Sequence, residues 1–318
     1  MTRLWITRPL PEPVLAAARA LPVDVIVRDE TGPMTQDEMV SALRDYDVVL
    51  PTLGDLFSAD VFAAAGTVRC RLLANFGVGY NHIDVAAAQS AGVSVTNTPG
   101  AVTDATADIA LMLMLMSARR AGEGERMVRA GQWPGWHPTQ MLGLHMSGKR
   151  VGIVGLGRIG QAIARRCHFG FGMDVHYVSR SEKDVPFPAV RAPDLQTLAG
   201  QVDFLVIAVP GGAETRHLIG GAVFAAMQPH AHLVNIARGD VVDEAALCSA
   251  LAEGQITGAG LDVYEHEPRV SEALLGMEQV TLLPHLGTAA MEVRTDMGQM
   301  AVANVAAFLK GQALPNPV

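Results

Sequence analysis

Cysteine is scarce in this chain and follows no pattern. Only three cysteines occur among 318 residues, at Cys70, Cys167 and Cys248, and no two of them have CxxC spacing. An odd number of widely spaced cysteines is untypical of a disulfide framework or a zinc site. The pair His230 and His232 has no further ligand close in sequence, so we predict no metal site.

Long hydrophobic runs and an excess of basic charge are also missing. The most apolar window covers residues 109–116, whereas a membrane span needs about 20 residues. The N-terminal stretch MTRLWITRPL lacks the apolar run of a signal peptide. Because 24 Lys and Arg face 32 Asp and Glu, for a net charge of -8, nucleic acid is not an expected partner. We expect a globular cytoplasmic protein that does not bind membranes.

The first hundred residues alternate short apolar runs with helical patterns. The predicted strands cover residues 4–7, 23–27, 48–52, 68–75 and 93–96. A helix is predicted after each of the first four, and Thr35 and Glu38 have the spacing of a capping box. This alternation predicts an α/β fold with a parallel sheet covered on both faces.

The middle of the chain contains a long apolar helix and an irregular segment. Residues 103–120 predict one helix that is apolar nearly all round, as expected for a helix buried in a core or between subunits. Residues 121–147 show no clear period and contain Trp133 and Trp136. We predict an extended arm there that a partner subunit covers, because exposed tryptophans are otherwise unfavourable.

A second alternating series begins at residue 150. Its six predicted strands cover residues 151–154, 175–178, 204–209, 233–236, 259–263 and 280–283. Helical patterns separate most of them, and a last helix is predicted for residues 292–309. Six strands with crossover helices are typical of the doubly wound, Rossmann-type dinucleotide fold.

A glycine-rich motif stands between the first of these strands and its helix. Its residues are Gly155, Leu156, Gly157, Arg158, Ile159 and Gly160. In the motif GxGxxG the first glycine permits a tight turn, the second lets a pyrophosphate approach the backbone, and the third permits close packing of helix on strand. The strand–turn–helix context predicts a dinucleotide site.

The end of the next strand favours NADP over NAD. An acidic residue that binds the ribose 2′-hydroxyl is typical of NAD sites at this position. Here the strand is followed by Ser179 and Arg180, and the nearest acid is Glu182. A hydroxyl beside an arginine suits a 2′-phosphate, so we predict NADP(H) as the preferred cofactor, with NAD(H) still possible.

Three polar residues follow the ends of later strands. Arg238, Glu267 and His285 each come just after a predicted strand, at the edge where open α/β sheets bind ligands. An arginine can hold a carboxylate through two hydrogen bonds. A histidine exchanges protons near neutral pH, and a nearby carboxylate favours its protonated form. The trio predicts acid–base chemistry on a carboxylate substrate.

Together with the loop after the fourth strand, these motifs carry a resemblance to a known family. The segments NFGVGYNHID, NTPGAVTDATAD, GIVGLGRIG, VNIARGDVVDE, GLDVYEHEP and LLPHLGTA occur in this order. The chain resembles the D-isomer-specific 2-hydroxyacid dehydrogenases, and within them the glyoxylate/hydroxypyruvate reductases.

The resemblance implies a role for each matching residue. Arg238 would bind the substrate carboxylate and carbonyl, His285 would be the general acid/base, and Glu267, rather than the competing Glu265, would be its partner. Backbone N–H groups of Val78 and Gly79 would bind the substrate carboxylate, and Leu53 would close the pocket. Asp262 would lie at the nicotinamide carboxamide. Further cofactor contacts would come from Val78, Thr106, Leu156, Arg158, Ile159, Pro210, Thr215, Ile236, Arg238, His285 and Gly287.

The resemblance also implies an organisation of the chain. Residues 1–98 and 287–318 would form a discontinuous, flavodoxin-like substrate domain, and residues 99–286 the cofactor domain. Helix 103–120 and arm 121–147 would build a homodimer.

The expected reaction is the reduction of glyoxylate or hydroxypyruvate to glycolate or D-glycerate with NADPH. An NAD-dependent D-2-hydroxyacid or phosphoglycerate dehydrogenase is one alternative. A corepressor-like binding protein that senses NAD(P) is another, since fold does not imply function.

Overall fold

The computed structural model describes all 318 residues, which divide into two compact units. Unit 1 comprises residues Met1–Val102 and Ala289–Val318, and unit 2 comprises Thr103–Thr288. Both units are α/β, as predicted, with parallel sheets and flanking helices. None of the helices has the length and hydropathy needed to cross a bilayer.

Unit 1 is built on a five-stranded parallel sheet. Its strands are β1 (Arg3–Ile6), β2 (Asp24–Val27), β3 (Val48–Leu50), β4 (Leu72–Ala74) and β5 (Ser94–Thr96). Its helices are α1 (Glu12–Arg19), α2 (Gln36–Asp45), α3 (Ala59–Ala65) and α4 (Val85–Ser90). The strand order β2-β1-β3-β4-β5 is that of flavodoxin-like sheets. The predicted capping box at the start of α2 is present, because Thr35 and Glu38 bond to each other's backbone N–H.

Unit 2 is built on a seven-stranded parallel sheet. Its strands are β6 (Arg150–Val154), β7 (Asp174–Val178), β8 (Ala189–Arg191), β9 (Phe204–Ile207), β10 (His232–Asn235), β11 (Gly258–Leu261) and β12 (Val280–Leu282). The order β12-β11-β10-β9-β6-β7-β8 is doubly wound, with the reversal of direction at β6 and β9. Six strands were expected. The seventh, β8, is a three-residue edge strand with exposed side chains, so it carries no apolar run.

Helices cover both faces of this sheet. They are α5 (Thr103–Ala118), α6 (Ala121–Arg129), α7 (Arg158–Phe171), α8 (Leu195–Gln201), α9 (Gly221–Ala226), α10 (Glu244–Ala252) and α11 (Glu272–Leu275). Helix α5 packs against α7 and strands β10 and β11, which explains its apolar sequence. The last helix of the chain, α12 (Met291–Leu309), belongs to unit 1.

The prediction of an extended arm for residues 121–147 is wrong for the first third of this segment. Residues Ala121–Arg129 form helix α6, and none of its residues is buried. The sequence did not predict this helix because Gly122 and Gly124 lower the helix propensity of the segment. Trp133 and Trp136 lie beyond the helix and are 54% and 80% exposed.

Candidate active site

The glycine-rich turn in unit 2 joins β6 to α7 and has the geometry of a dinucleotide site. Gly155 has a φ of +96°, and a Cβ there would lie 2.9 Å from the carbonyl oxygen of Ala208. A Cβ at Gly160 would lie 2.1 Å from the carbonyl oxygen of Gly155. Both positions therefore need glycine, the first for the turn and the second for the packing of α7 against the turn.

Gly157 needs glycine for a different reason. A Cβ at this position would meet nothing within 4 Å, so neither packing nor backbone strain explains the residue. Gly157 is the N-cap of α7, and no side chain caps the helix. Open space beside the uncapped N–H groups of a long helix fits the approach of a pyrophosphate. The residues present thus fit a dinucleotide cofactor.

The other residues of the turn differ in how far their side chains are buried. Leu156 is fully buried, so only its backbone is open to a ligand. Arg158 is exposed at the first position of α7, and Ile159 is half-buried.

The loop after β7 carries more cationic charge than its sequence suggests. Arg180 is exposed, and the Ser179 hydroxyl donates a hydrogen bond to the carbonyl of Ser181. Arg191, at the end of β8, donates to the carbonyl oxygens of Ser179 at 2.9 Å and Arg180 at 3.4 Å. Sequence analysis missed Arg191 because β8 carried no signal. Two arginines therefore lie near Ser179, Arg180 in the β7–β8 loop and Arg191 at the end of β8, and no acid stands at the tip of β7.

His285 and Glu267 are brought together at the carboxyl edge of the same sheet. The Nδ1 atom of His285 lies 2.9 Å from Oε2 of Glu267, and Oε1 of Glu267 accepts a hydrogen bond from the backbone N–H of Tyr264 at 3.0 Å. Burial alone would raise the pKa of the Glu267 carboxyl, but the hydrogen bond and charge of His285 outweigh it, so the pKa is lowered. Glu267 is therefore ionised near neutral pH.

The backbone of His285 is in the left-handed region, with a φ of +55°. Such a conformation is unfavourable for most residues and persists where the surroundings enforce it. Asp262 supplies part of that enforcement, because its carboxylate accepts hydrogen bonds from the backbone N–H groups of Leu286 at 2.6 Å and Gly287 at 2.8 Å. The carbonyl of Gly287 in turn accepts from the hydroxyl of Thr106 at 3.2 Å.

Asp262 is almost completely buried, and burial raises the pKa of its carboxyl group. Its two oxygens bind the turn that carries His285. The residue therefore acts on the site by orienting this turn, a contact that strand-end reasoning did not anticipate.

Glu265 takes a different partner from Glu267. Its Oε1 atom lies 2.7 Å from Nε2 of His217 and 3.2 Å from Arg216. The competing acid of the sequence segment is thus occupied by a second histidine, in the loop that also contains Thr215. His217 was not singled out from sequence, since one histidine in a loop carries no pattern.

Arg238 follows β10 and is partly buried. Burial lowers the pKa of its guanidinium, and the charge of Glu267 opposes this effect. A Cβ at Gly211 would lie 2.7 Å from Cγ of Arg238, so this glycine makes room for the arginine stem. Arg238 in turn helps to lower the pKa of Glu267, which means that the two charges are close.

The remaining predicted cofactor residues of unit 2 lie on loops after β9 and β10. Pro210 is exposed, and its carbonyl accepts a hydrogen bond from the Thr215 hydroxyl at 2.8 Å. Ile236 is buried directly after β10.

In unit 1 the predicted substrate residues lie on two neighbouring loops. The loops follow β3 and β4, adjacent strands of the sheet. The side chain of Asn75 donates to the carbonyls of Gly77 and Gly79 at 3.0 Å, and that of Asn97 donates to the carbonyl of Val78 at 2.9 Å. This arrangement fixes the carbonyls and leaves the N–H groups of Val78 and Gly79 available. Leu53, in the other loop, is 39% exposed.

Taken together, the doubly wound sheet, the dinucleotide turn and the His–Glu–Arg cluster define a nicotinamide-dependent dehydrogenase. The model of the family "D-isomer specific 2-hydroxyacid dehydrogenase, NAD binding domain" matches residues 111–287. The chain belongs to this family and is an oxidoreductase that acts on 2-hydroxy acids.

Its relatives include named enzymes. It is 42% identical over 322 aligned residues to the glyoxylate reductase of Thermococcus kodakarensis, covering 99% of this chain and 96% of that protein. It is 37% identical to the glycerate dehydrogenase of Hyphomicrobium methylovorum, over 94% of this chain and 93% of that one. A solved structure of an NADPH-dependent glyoxylate/hydroxypyruvate reductase from Sinorhizobium meliloti, in complex with NADP and malonate, superposes with a TM-score of 0.87 at 34% identity, covering 100% and 96% of the two chains.

Proposed function

We propose that this protein reduces small 2-keto acids, namely glyoxylate and hydroxypyruvate, to glycolate and D-glycerate with NADPH. The observation that carries the proposal is the hydrogen bond of 2.9 Å between His285 and the ionised Glu267, with Arg238 close by. The similarity to glyoxylate reductases over almost the whole chain supports the choice of substrate.

Arg238, His285 and Glu267 would each have a separate role in the reduction. When bound, the nicotinamide cofactor supplies a hydride to C2 of the keto acid. Arg238 holds the substrate carboxylate with its planar fork and polarises the carbonyl. Because Nδ1 of His285 faces Glu267, Nε2 is the ring nitrogen that delivers a proton to the carbonyl oxygen. Ionised Glu267 stabilises the imidazolium before transfer and fixes the ring orientation.

The NADPH preference rests on the β7–β8 loop. A 2′-phosphate carries close to two negative charges near neutral pH, and Arg180 is exposed where it could bind them. Hydrogen bonds to charged groups contribute about 1.5–3 kcal/mol, or roughly 10–150-fold in affinity.

Arg180→Ala should therefore weaken NADPH binding by about tenfold or more and leave NADH binding nearly unchanged. Fluorescence titration with both cofactors measures this directly, and Arg165→Ala, which removes an exposed arginine from the middle of α7, is the matched control. An equal loss for NADPH and NADH would refute the role of Arg180 without touching the 2-hydroxyacid chemistry.

The substrate proposal is tested by kcat/KM over glyoxylate, hydroxypyruvate, pyruvate and longer 2-keto acids, with each cofactor. We expect the highest values for the first two substrates with NADPH. A preference for NADH would favour an NAD-dependent D-2-hydroxyacid or phosphoglycerate dehydrogenase. Cofactor binding without turnover of any keto acid would favour a corepressor-like sensor.

We also propose that the protein forms a homodimer through residues 103–147. The supporting observation is the exposure of Trp133 and Trp136, which an isolated chain would leave in water. Light scattering of the wild type and of Trp136→Ser measures whether each protein is a dimer or a monomer. A monomeric wild type contradicts the proposal.

A further inference from the structure

A buried tyrosine of unit 2 contacts both members of the His–Glu pair, and the proposed mechanism does not use it. Tyr264 is 8% exposed and lies three residues after β11. Its backbone N–H donates to Oε1 of Glu267 at 3.0 Å. Its hydroxyl donates at 2.8 Å to the carbonyl oxygen of Leu283, two residues before His285. One residue therefore binds the two segments that carry the pair.

The hydroxyl holds the turn of His285 from its N-terminal side. After Leu283 the chain continues with Pro284, which has no N–H group, and then enters the left-handed region at His285, with a φ of +55°. The carboxylate of Asp262 accepts hydrogen bonds from the two backbone N–H groups that follow this residue. Tyr264 binds the carbonyl on the other side. The unfavourable backbone of His285 is thus fixed at both ends.

The backbone of Tyr264 is itself held in place. A Cβ at Gly239, the residue after Arg238, would lie 1.8 Å from the carbonyl carbon of Tyr264. This close packing joins the tyrosine to the turn that carries the arginine. On the next residue, the backbone N–H of Glu265 donates to the carboxylate of Glu244 at 2.6 Å. The ring of Tyr264 therefore extends from a backbone with little freedom to move.

The hydroxyl of Tyr264 is a permanent donor. Burial, together with the nearby charges of Asp262 and Glu267, raises its pKa above the ordinary value for tyrosine. An ordinary tyrosine ionises only near pH 10, so this one keeps its proton throughout the neutral and mildly alkaline range. A hydroxyl that retains its proton and donates to a backbone carbonyl orients its surroundings and does not supply the proton of the reaction.

We infer that Tyr264 is a positioning residue for His285. Its hydroxyl holds the carbonyl of Leu283 and so fixes the backbone from which the imidazole delivers a proton through Nε2. This inference rests on the proposed function, in which His285 supplies that proton. Placement of such a group has a large effect, because a shift of about 1 Å can lower a rate about 100-fold.

Tyr264→Phe is the informative variant, since it removes one oxygen atom and leaves the ring to fill the same space. Tyr177→Phe is the matched control. Tyr177 is also a buried tyrosine of unit 2, at 2% exposure, and its hydroxyl accepts a hydrogen bond from the backbone N–H of Lys183 at 3.2 Å. Each variant loses a bond between a tyrosine hydroxyl and a backbone group, but only the first loses a bond to the segment of His285.

We expect kcat for glyoxylate, measured per folded enzyme at saturating NADPH, to fall about tenfold in Tyr264→Phe, with KM within about twofold of wild type. Tyr177→Phe should stay within about twofold of the wild-type kcat. In the His285→Asn background, Tyr264→Phe should change kcat by less than about twofold, because the group that it positions is absent.

The double substitution separates positioning of His285 from a general role in the fold. A general loosening of unit 2 would lower kcat by the same factor with and without His285, and that result overturns the inference. Wild-type kcat in Tyr264→Phe also overturns it. If the wild type is active, either result leaves the proposed function standing. A wild type without keto-acid reductase activity overturns the proposed function and this inference with it.

Discussion

At the scale of single residues, the site depends on how each charged group is held. Glu267 and Glu265 are two residues apart, yet the first binds His285 and the second binds His217. Residue chemistry alone left both acids as candidates for the same role, and the resemblance to a family selected Glu267. The hydrogen bonds distinguish the two acids, because each has its own histidine partner in the folded chain.

Glu267→Gln tests the pairing through kcat for keto-acid reduction. Glutamine keeps an amide oxygen beside Nδ1 of His285 but loses the charge that Glu267, whose pKa is lowered, carries near neutral pH. A hydrogen bond to a charged group contributes about 1.5–3 kcal/mol, so kcat for glyoxylate should fall by roughly tenfold or more at unchanged NADPH affinity. Near wild-type kcat in Glu267→Gln would contradict the pairing.

At the scale of elements, the sequence patterns predicted the sheets well. Six of the seven strands of unit 2 and all five of unit 1 were predicted, because buried parallel strands form continuous apolar runs. Strand β8 and helix α6 were missed, since the first is exposed and the second contains two glycines. Arg191 was missed together with its strand.

The turn from β6 to α7 offers a matched pair of glycine substitutions. Gly160→Ala places a Cβ 2.1 Å from the carbonyl oxygen of Gly155 and should destabilise the protein by about 1–3 kcal/mol. Gly157→Ala meets no protein atom within 4 Å, so its stability should change by less than about 1 kcal/mol. The added methyl group nevertheless occupies the path of the pyrophosphate.

For Gly157→Ala we therefore expect an NADPH dissociation constant raised about tenfold or more, at a nearly unchanged unfolding temperature. Fluorescence titration and thermal unfolding measure the two quantities separately. Tight cofactor binding by this variant would show that the pyrophosphate does not approach the backbone at Gly157.

At the scale of the whole molecule, one buried histidine makes stability depend on pH. His232 on β10 is 2% exposed, accepts or donates a hydrogen bond with the Ser117 hydroxyl at 2.8 Å, and stacks on Phe204. Burial lowers its pKa from 6.5 to about 4. In the unfolded chain the histidine ionises near its ordinary value, so between pH 6.5 and 4 the unfolded state binds more protons.

The neutral His232 should thus stabilise the fold fully above pH 6.5, and this contribution should be lost as pH falls towards 4. The loss amounts to about 3 kcal/mol. Urea unfolding at a series of pH values measures it. His232→Gln should flatten the acid side of the profile, whereas His137→Gln, at an exposed position, should not. Equal slopes in both variants would contradict the assignment.

The central claim, that His285 supplies the proton in a keto-acid reduction, is tested most directly by kcat for glyoxylate with saturating NADPH. The best variant is His285→Asn, because asparagine tolerates the left-handed backbone that His285 adopts at φ +55°. With the exposed His145→Asn as control, the account predicts an active wild type and control and a loss of about 10²–10⁴-fold in His285→Asn, at unchanged NADPH affinity. Near wild-type kcat in His285→Asn would contradict it.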